Sequence, residues 1–150
     1  MTLKQRIEGD LKSAMLSHDS FVVETLRTIK GAILNEEVAK GMREAGLDDS
    51  SIETLLGKEV KKRFEAADLF DRGGNSESAE KERREAELLG QYLPEQMSED
   101  ELKEVIEAAI TESGATSIQQ MGQVIGAVRS AVGNSADGSV IAKLVKEQLQ

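Results

Sequence analysis

His18 is the only histidine, and with Asp19 it forms a His-Asp pair of the kind that can hold a metal ion. A metal site needs further histidines or carboxylates converging on that ion. The preferred reading is a turn between two helices, with Asp19 or Ser20 capping the second. Carboxylates recur at Asp48–Asp49, Glu82–Glu85 and Glu99–Asp100–Glu101. Acid–base catalysis would need two of them in one cleft with separated pKa values. The first and third groups instead fall at predicted helix starts, where negative charge suits the macrodipole. Glu82 and Glu85 are three residues apart on one helix face, in reach of Lys58, Lys61 or Arg63 on the preceding helix, and read as ion-pair scaffolding. The serines cluster at caps and none lies in a Gly-x-Ser-x-Gly turn, so no serine nucleophile is expected.

Two glycine-marked segments and one basic run remain. Met121-Gly122-Gln123-Val124-Ile125-Gly126 follows no strand and lacks the Lys-Ser/Thr ending of a phosphate loop. Its glycines sit four apart on an amphipathic helix, where each costs about 1 kcal/mol relative to alanine. Close helix–helix packing is the expected reason; close approach of an RNA backbone or a partner helix is the alternative. The Asp137–Gly138 pair reads as a helix cap between Ser135 and Ser139. Lys58, Lys61 and Lys62 share a helical face beside Arg63, with Arg72, Lys81, Arg83 and Arg84 nearby in sequence. This is either a phosphate-facing patch or a salt-bridged face, because Glu59, Glu65, Glu80, Glu82 and Glu85 interleave with it. The second reading is preferred.

The elements that must position these residues are helical. One proline in 150 residues and aromatics at only 3% indicate helices with an aliphatic core. With no cysteine, disulfides, thiolate zinc sites and a cysteine nucleophile are excluded. Apolar runs are too short for a membrane span, and the amphipathic start lacks a secretory apolar core. A cytoplasmic location is therefore expected, with no cofactor, metal or membrane partner. Net charge is −9; residues up to Pro94 carry 19 acids and 15 bases, the remainder 9 and 4. Nucleic-acid binding would have to work against that field.

Thr2 is predicted to cap a helix carrying Leu3, Ile7, Leu11 and Ala14–Met15 on one face. A second carries Val22, Leu26, Ile29, Ile33 and Val38, with Gly41 and Gly46 near its end and Gly46 suited to the left-handed position after it. Asp49 or Ser50 opens a third, with Ile52, Leu56, Val60, Arg63, Ala67 and Phe70 on one stripe. Gly73–Gly74 stops it, and Ser76 opens a charged fourth. Pro94 marks the boundary between a lobe of residues 1–94 and one of residues 95–150. Ser98 and Glu101 form a predicted capping box for a helix burying Leu102, Val105, Ile106, Ala109 and Ile110. Ser117 caps the next (Ile118, Met121, Ile125, Val128, Val132) and Asp137 the last (Ile141, Leu144, Val145, Leu149). The expected fold class is all-α, in two helical lobes: a four-helix N-terminal region and a C-terminal three-helix bundle.

The tail markers Met121, Gly122, Gly126 and Asp137–Gly138, with Tyr92–Leu93–Pro94–Glu95–Gln96 upstream, resemble the GatB/YqeY family. Asp10, Ala14–Met15, Asp19, Leu26–Arg27 and Asn35 extend the resemblance through the first half, and Leu47, Asp49, Ile52, Lys58, Lys61, Arg63, Glu82 and Glu85 continue it. Members are the C-terminal tail of the GatB component of the tRNA-dependent amidotransferase and small free-standing proteins built around that tail. In that enzyme the resembling tail faces RNA, while catalysis belongs to the amidase component and to the larger ATP-using part of GatB. The resemblance therefore implies a non-catalytic module binding tRNA or a tRNA-processing complex. Its tie to glutamine-dependent carbon–nitrogen ligase chemistry is by association, and no independent activity is expected. Many relatives have Gly-Arg-Ala-Asp-Gly-Lys at the tail turn; here Gly133-Asn134-Ser135-Ala136-Asp137-Gly138-Ser139 keeps the shape-setting residues and loses both bases. Gln123 and Asn75 also stand where many relatives have Lys and Arg. Each lost base removes about one counterion's worth of salt-dependent affinity. The alternative expectation is a protein–protein adaptor. On either view the candidate contact residues are Lys58, Lys61, Lys62, Arg63, Gly122, Gln123, Gly126, Ser135, Asp137, Gly138 and Ser139.

Overall fold

The structure, a computed structural model, describes residues 1–150 and is all-helical: seven α-helices, two short 3-10 turns and no strand. It divides into two compact units, Met1–Leu93 and Pro94–Gln150. No helix is long and apolar enough to cross a membrane.

The first unit holds α1 (Leu3–Leu16), α2 (Ser20–Ala39), α3 (Asp49–Arg72) and α4 (Ser76–Gly90). Thr2 and Gln5 form a reciprocal capping box at α1. His18 takes a left-handed backbone (φ 59°) that ends α1, and Asp19 then caps α2 through the Val22 N–H. The His-Asp pair thus serves a turn. Asp48 caps α3, one residue earlier than predicted, because Asp49 is drawn away: its Oδ1 accepts from the Leu3 N–H at 2.9 Å. Asn75 caps α4. Leu3, Ile7, Leu11, Leu26, Ile29, Ile33, Leu47, Ile52, Leu55, Leu56, Leu89 and Tyr92 build an almost wholly aliphatic core. The Tyr92 hydroxyl donates to Asp10, and the Arg6 guanidinium lies over its ring, 4.8 Å from the centroid. Burial, reinforced by the Asp10 carboxylate, raises the phenol's pKa well above its ordinary value.

Periodicity misplaces the end of α2. Val38 is 58% exposed, and its neighbour Glu37 only 1%. The connection from α2 to α3 turns inward beneath the helix. Glu37 accepts from the Leu47 N–H at 2.9 Å and pairs with Lys4 Nζ at 3.0 Å. These bonds, the Leu47 bond first, hold its carboxyl below the usual glutamate pKa against the opposing effect of burial. The left-handed helix end belongs to Gly41 (φ 66°), followed by a Met42 N–H bond back to the Glu37 carbonyl. Gly46 is also left-handed (φ 77°), but serves to pass Glu37: a Cβ there would lie 3.2 Å from Glu37 Oε2. Phe70, predicted on the α3 core stripe, is 38% exposed near the helix end.

The second unit holds α5 (Glu99–Ser113), α6 (Met121–Val132) and α7 (Gly138–Leu149), with 3-10 turns at Ile118–Gln120 and Gly133–Ser135. Leu102, Ile106, Ala115, Val124, Val128, Ile141, Leu144, Val145 and Leu149 form its core. Ser98 caps α5 through the Glu101 N–H at 3.1 Å; only that half of the predicted box forms, and the Glu101 side chain faces solvent. Gly114 (φ 71°) ends α5. The stretch Ile118–Gln120 is 3-10 rather than α, and Gln120 Oε1 folds back there to accept from the Thr116 and Ser117 N–H groups. Ile118 is left exposed, and Val124, absent from the predicted stripe although it lies between Met121 and Val128 on the same face, is fully buried in the core.

Candidate docking site in the tail

The sequence-derived contact residues fall into two groups on different units. Lys58, Lys61, Lys62 and Arg63 lie on α3. Arg63 is only 11% exposed; its guanidinium is 2.6 Å from Glu59 and 3.2 Å from Glu85. Lys62 also pairs with Glu59 at 3.6 Å, and Lys61 is engaged by a neighbour. Farther along the α3–α4 hairpin, Arg83 bridges Asp71 and Asp68 at 2.5 and 3.3 Å. The interleaved acids thus occupy much of this basic run, and Glu85 pairs across the hairpin with Arg63 as its spacing suggested.

The second group comes together around α6 and α7. Asp137 caps α7, its Oδ1 accepting from the Ser139 N–H at 2.7 Å and from the Ser139 hydroxyl at 2.9 Å. Ser135 is half-buried, and its carbonyl accepts from the Met97 N–H at 2.8 Å. The Gln96 side-chain amide donates to the carbonyls of Asn134, at 3.0 Å, and Pro94. The Pro94–Met97 segment and the tail turn, almost forty residues apart in sequence, are therefore one local structure.

Gly122, Gln123 and Gly126 occupy the side of α6 opposite Val124 and Val128, and all three are exposed. The close helix–helix packing expected at the two glycines is absent: a Cβ on either would meet no heavy atom within 4 Å. Ala127, Ser130 and Ala131 are also exposed, so the outward face of α6 is low and the backbone accessible. The Ser130 hydroxyl lies along it, donating to the Gly126 carbonyl at 3.0 Å. Sequence reasoning passed over Arg129, whose guanidinium rests against Gly138, 3.7 Å from where a Cβ would sit. Its position three residues after Gly126 was the available signal. It supplies one cation at the N-terminus of α7, beside a turn without bases of its own.

A face of this kind can bring a partner backbone close. It has no convergent acid, base and nucleophile. The sequence pattern of the family described as "Yqey-like protein" matches residues 4–149. Three similar proteins are each named "Altered inheritance of mitochondria protein 41, mitochondrial". That of Pyrenophora tritici-repentis is 28% identical over 95% of this chain and 78% of its own length. Those of Clavispora lusitaniae and Eremothecium gossypii are 30% and 31% identical over 68% and 58% of this chain. The chain spans only 59% and 46% of those two proteins. These mitochondrial names overturn the cytoplasmic expectation. Its premise was weak physically, because a missing apolar core speaks against a secretory signal and not against the amphipathic signals of other compartments. With the family pattern covering nearly all of it, the chain belongs to the YqeY family of Yqey-like proteins.

Proposed function

We propose that the chain is a non-catalytic helical docking module, which engages a protein component of tRNA-processing machinery through the α6 face and the turn into α7. One observation carries the docking: Gly122 and Gly126 lie inside a helix, exposed, with nothing of this chain over them. Each weakens α6 by about 1 kcal/mol relative to alanine, and no intramolecular contact offsets it. A partner backbone drawn close over the low face would. The tRNA-processing setting rests on the family tie to the amidotransferase tail, whose association with glutamine-dependent carbon–nitrogen ligase chemistry concerns the assembled enzyme. A protein partner suits the charges, since Arg63, Lys62 and Arg83 are matched by carboxylates.

Direct tRNA contact is the second reading, favoured by Arg129 at the start of α7, where helix N–H groups and a guanidinium suit a phosphate. An electromobility titration with total tRNA at low and moderate salt, run beside affinity capture with cross-linking, separates the two. The docking reading expects capture of a protein cross-linked to α6, lost in the Gly122→Leu/Gly126→Leu variant while circular dichroism stays unchanged. It expects no shift of tRNA at moderate salt. A tRNA shift whose log–log salt slope falls by about 0.7–0.9 in Arg129→Ala would replace it with direct RNA contact.

A further inference from the structure

A second exposed face lies on α2, in the other unit. Arg27, Gly31, Leu34 and Val38 follow one another at spacings of four, three and four, so they form one ridge. Leu34 is 44% and Val38 58% exposed, and Met42, folded back by the turn at Gly41, adds a third partly exposed apolar side chain. Beside this ridge, between α1 and α2, is a small cavity of about 110 Å³ lined by Lys4, Ile7, Glu8, Lys30, Ile33, Leu34 and Glu37. Ile7, Ile33 and Leu34 make its wall apolar, and it suits one branched aliphatic side chain. An exposed apolar strip continuous with a pocket marks an interaction surface more often than a scattered exposed leucine does.

The charges around the strip say what covers it. In this acidic unit five cations are matched by carboxylates: Lys4 by Glu37, Lys40 by Glu36, Arg63 and Lys62 by Glu59, Arg83 by Asp68 and Asp71. Arg6 and Arg84 lie over the rings of Tyr92 and Phe21. Arg27 and Lys30, like Lys12, Arg43, Lys58, Arg72 and Lys81, have no such partner, and of these it is Arg27 and Lys30 that flank the apolar strip. Glu8 and Glu37 line the cavity too; the Glu37 carboxylate is already bound by Lys4 and the Leu47 N–H, and the one unpaired carboxylate, Glu8, is set against the two cations Arg27 and Lys30.

We propose that this face binds an acidic amphipathic helix of a protein partner. Aliphatic side chains at i, i+4 and i+7 would fill the cavity and cover Leu34, Val38 and Met42, while flanking carboxylates meet Arg27 and Lys30. A second copy of this chain is a poorer occupant, because the ridge of Arg27, Gly31, Leu34 and Val38 carries no carboxylate to offer Arg27 and Lys30. This docking is separate from that at α6, so either can fail without the other.

The test uses the ¹⁵N-labelled full chain and two fluorescent helical peptides with leucine at i, i+4 and i+7, one flanked by glutamates and the other by lysines. The glutamate peptide should bind, with amide shift changes confined to Lys4–Glu8 and Arg27–Met42. Leu34→Ser/Val38→Ser should weaken it about tenfold or more. These side chains are exposed, so the fold should survive, which circular dichroism checks. Arg27→Glu should also weaken the glutamate peptide and not the lysine one. Equal binding of the two peptides, no binding of either, or shifts outside these segments overturns the proposal. So does binding to equimolar phosphatidylcholine–phosphatidylglycerol vesicles that depends on Leu34 and Val38, or dimerisation in sedimentation that Leu34→Ser/Val38→Ser abolishes.

Discussion

Glu37 does the work that the sequence pattern assigns to Val38. Its carboxylate fixes the α2–α3 connection through the Leu47 N–H and holds Lys4 of α1, joining three segments at one buried point. Removing one partner of such a group leaves polar atoms buried without satisfaction. Glu37→Ala should therefore cost about 3 kcal/mol, read by urea denaturation at neutral pH. The pH dependence follows from the depressed pKa. The unfolded chain binds the proton more tightly, so this contribution is complete above the ordinary glutamate pKa of about 4.3 and is lost as pH falls through the lower folded value. Glu37→Gln should flatten stability across that acid window; a variant with an unchanged acid limb would show that Glu37 does not carry it. Glu37 escaped the sequence reading because its partners are a backbone N–H ten residues on and a lysine in another helix. Spacing reports which residues share a helix face, and not whether the following loop folds under that helix.

At the level of elements, the caps were the most legible feature. Thr2, Asp19, Ser98 and Asp137 each act as read, because a cap is a local bond between a short polar side chain and an N–H two or three positions on. Helix faces were less legible. In α6 the inner face centres on Val124 and Val128, with Met121, Ile125 and Val132 packed beside them, and the glycines point outward. With open space around each, Gly122→Ala and Gly126→Ala should each stabilise the C-terminal unit by about 0.5–1 kcal/mol. Chemical denaturation of the full chain, followed by amide signals of α6, measures this. A loss of stability from either substitution would mean that the face is already covered.

For the whole molecule, the division at Pro94 makes the second unit small, 57 residues around nine buried aliphatic side chains. At that size a core is marginal. Residues 95–150 expressed alone should still melt cooperatively in circular dichroism, at a lower temperature than the complete chain. A fragment without a transition would show that stability is borrowed from the first unit. Which surfaces remain free for partners was the least legible property in the sequence. It depends on which cations find carboxylates in space: Arg63 sits in a basic run and is spent internally, whereas Arg27 and Arg129, alone in sequence, end up facing outward. The bonds from Gln96 and Met97 to the turn at Gly133–Ser135 have one more consequence. Tension applied to the chain near Pro94 would load that turn before it reached α5, and the turn adjoins the cap of α7. A pull on the linker would therefore be felt first at the tail surface, which makes the segment a tether with its anchor beside the exposed face of α6.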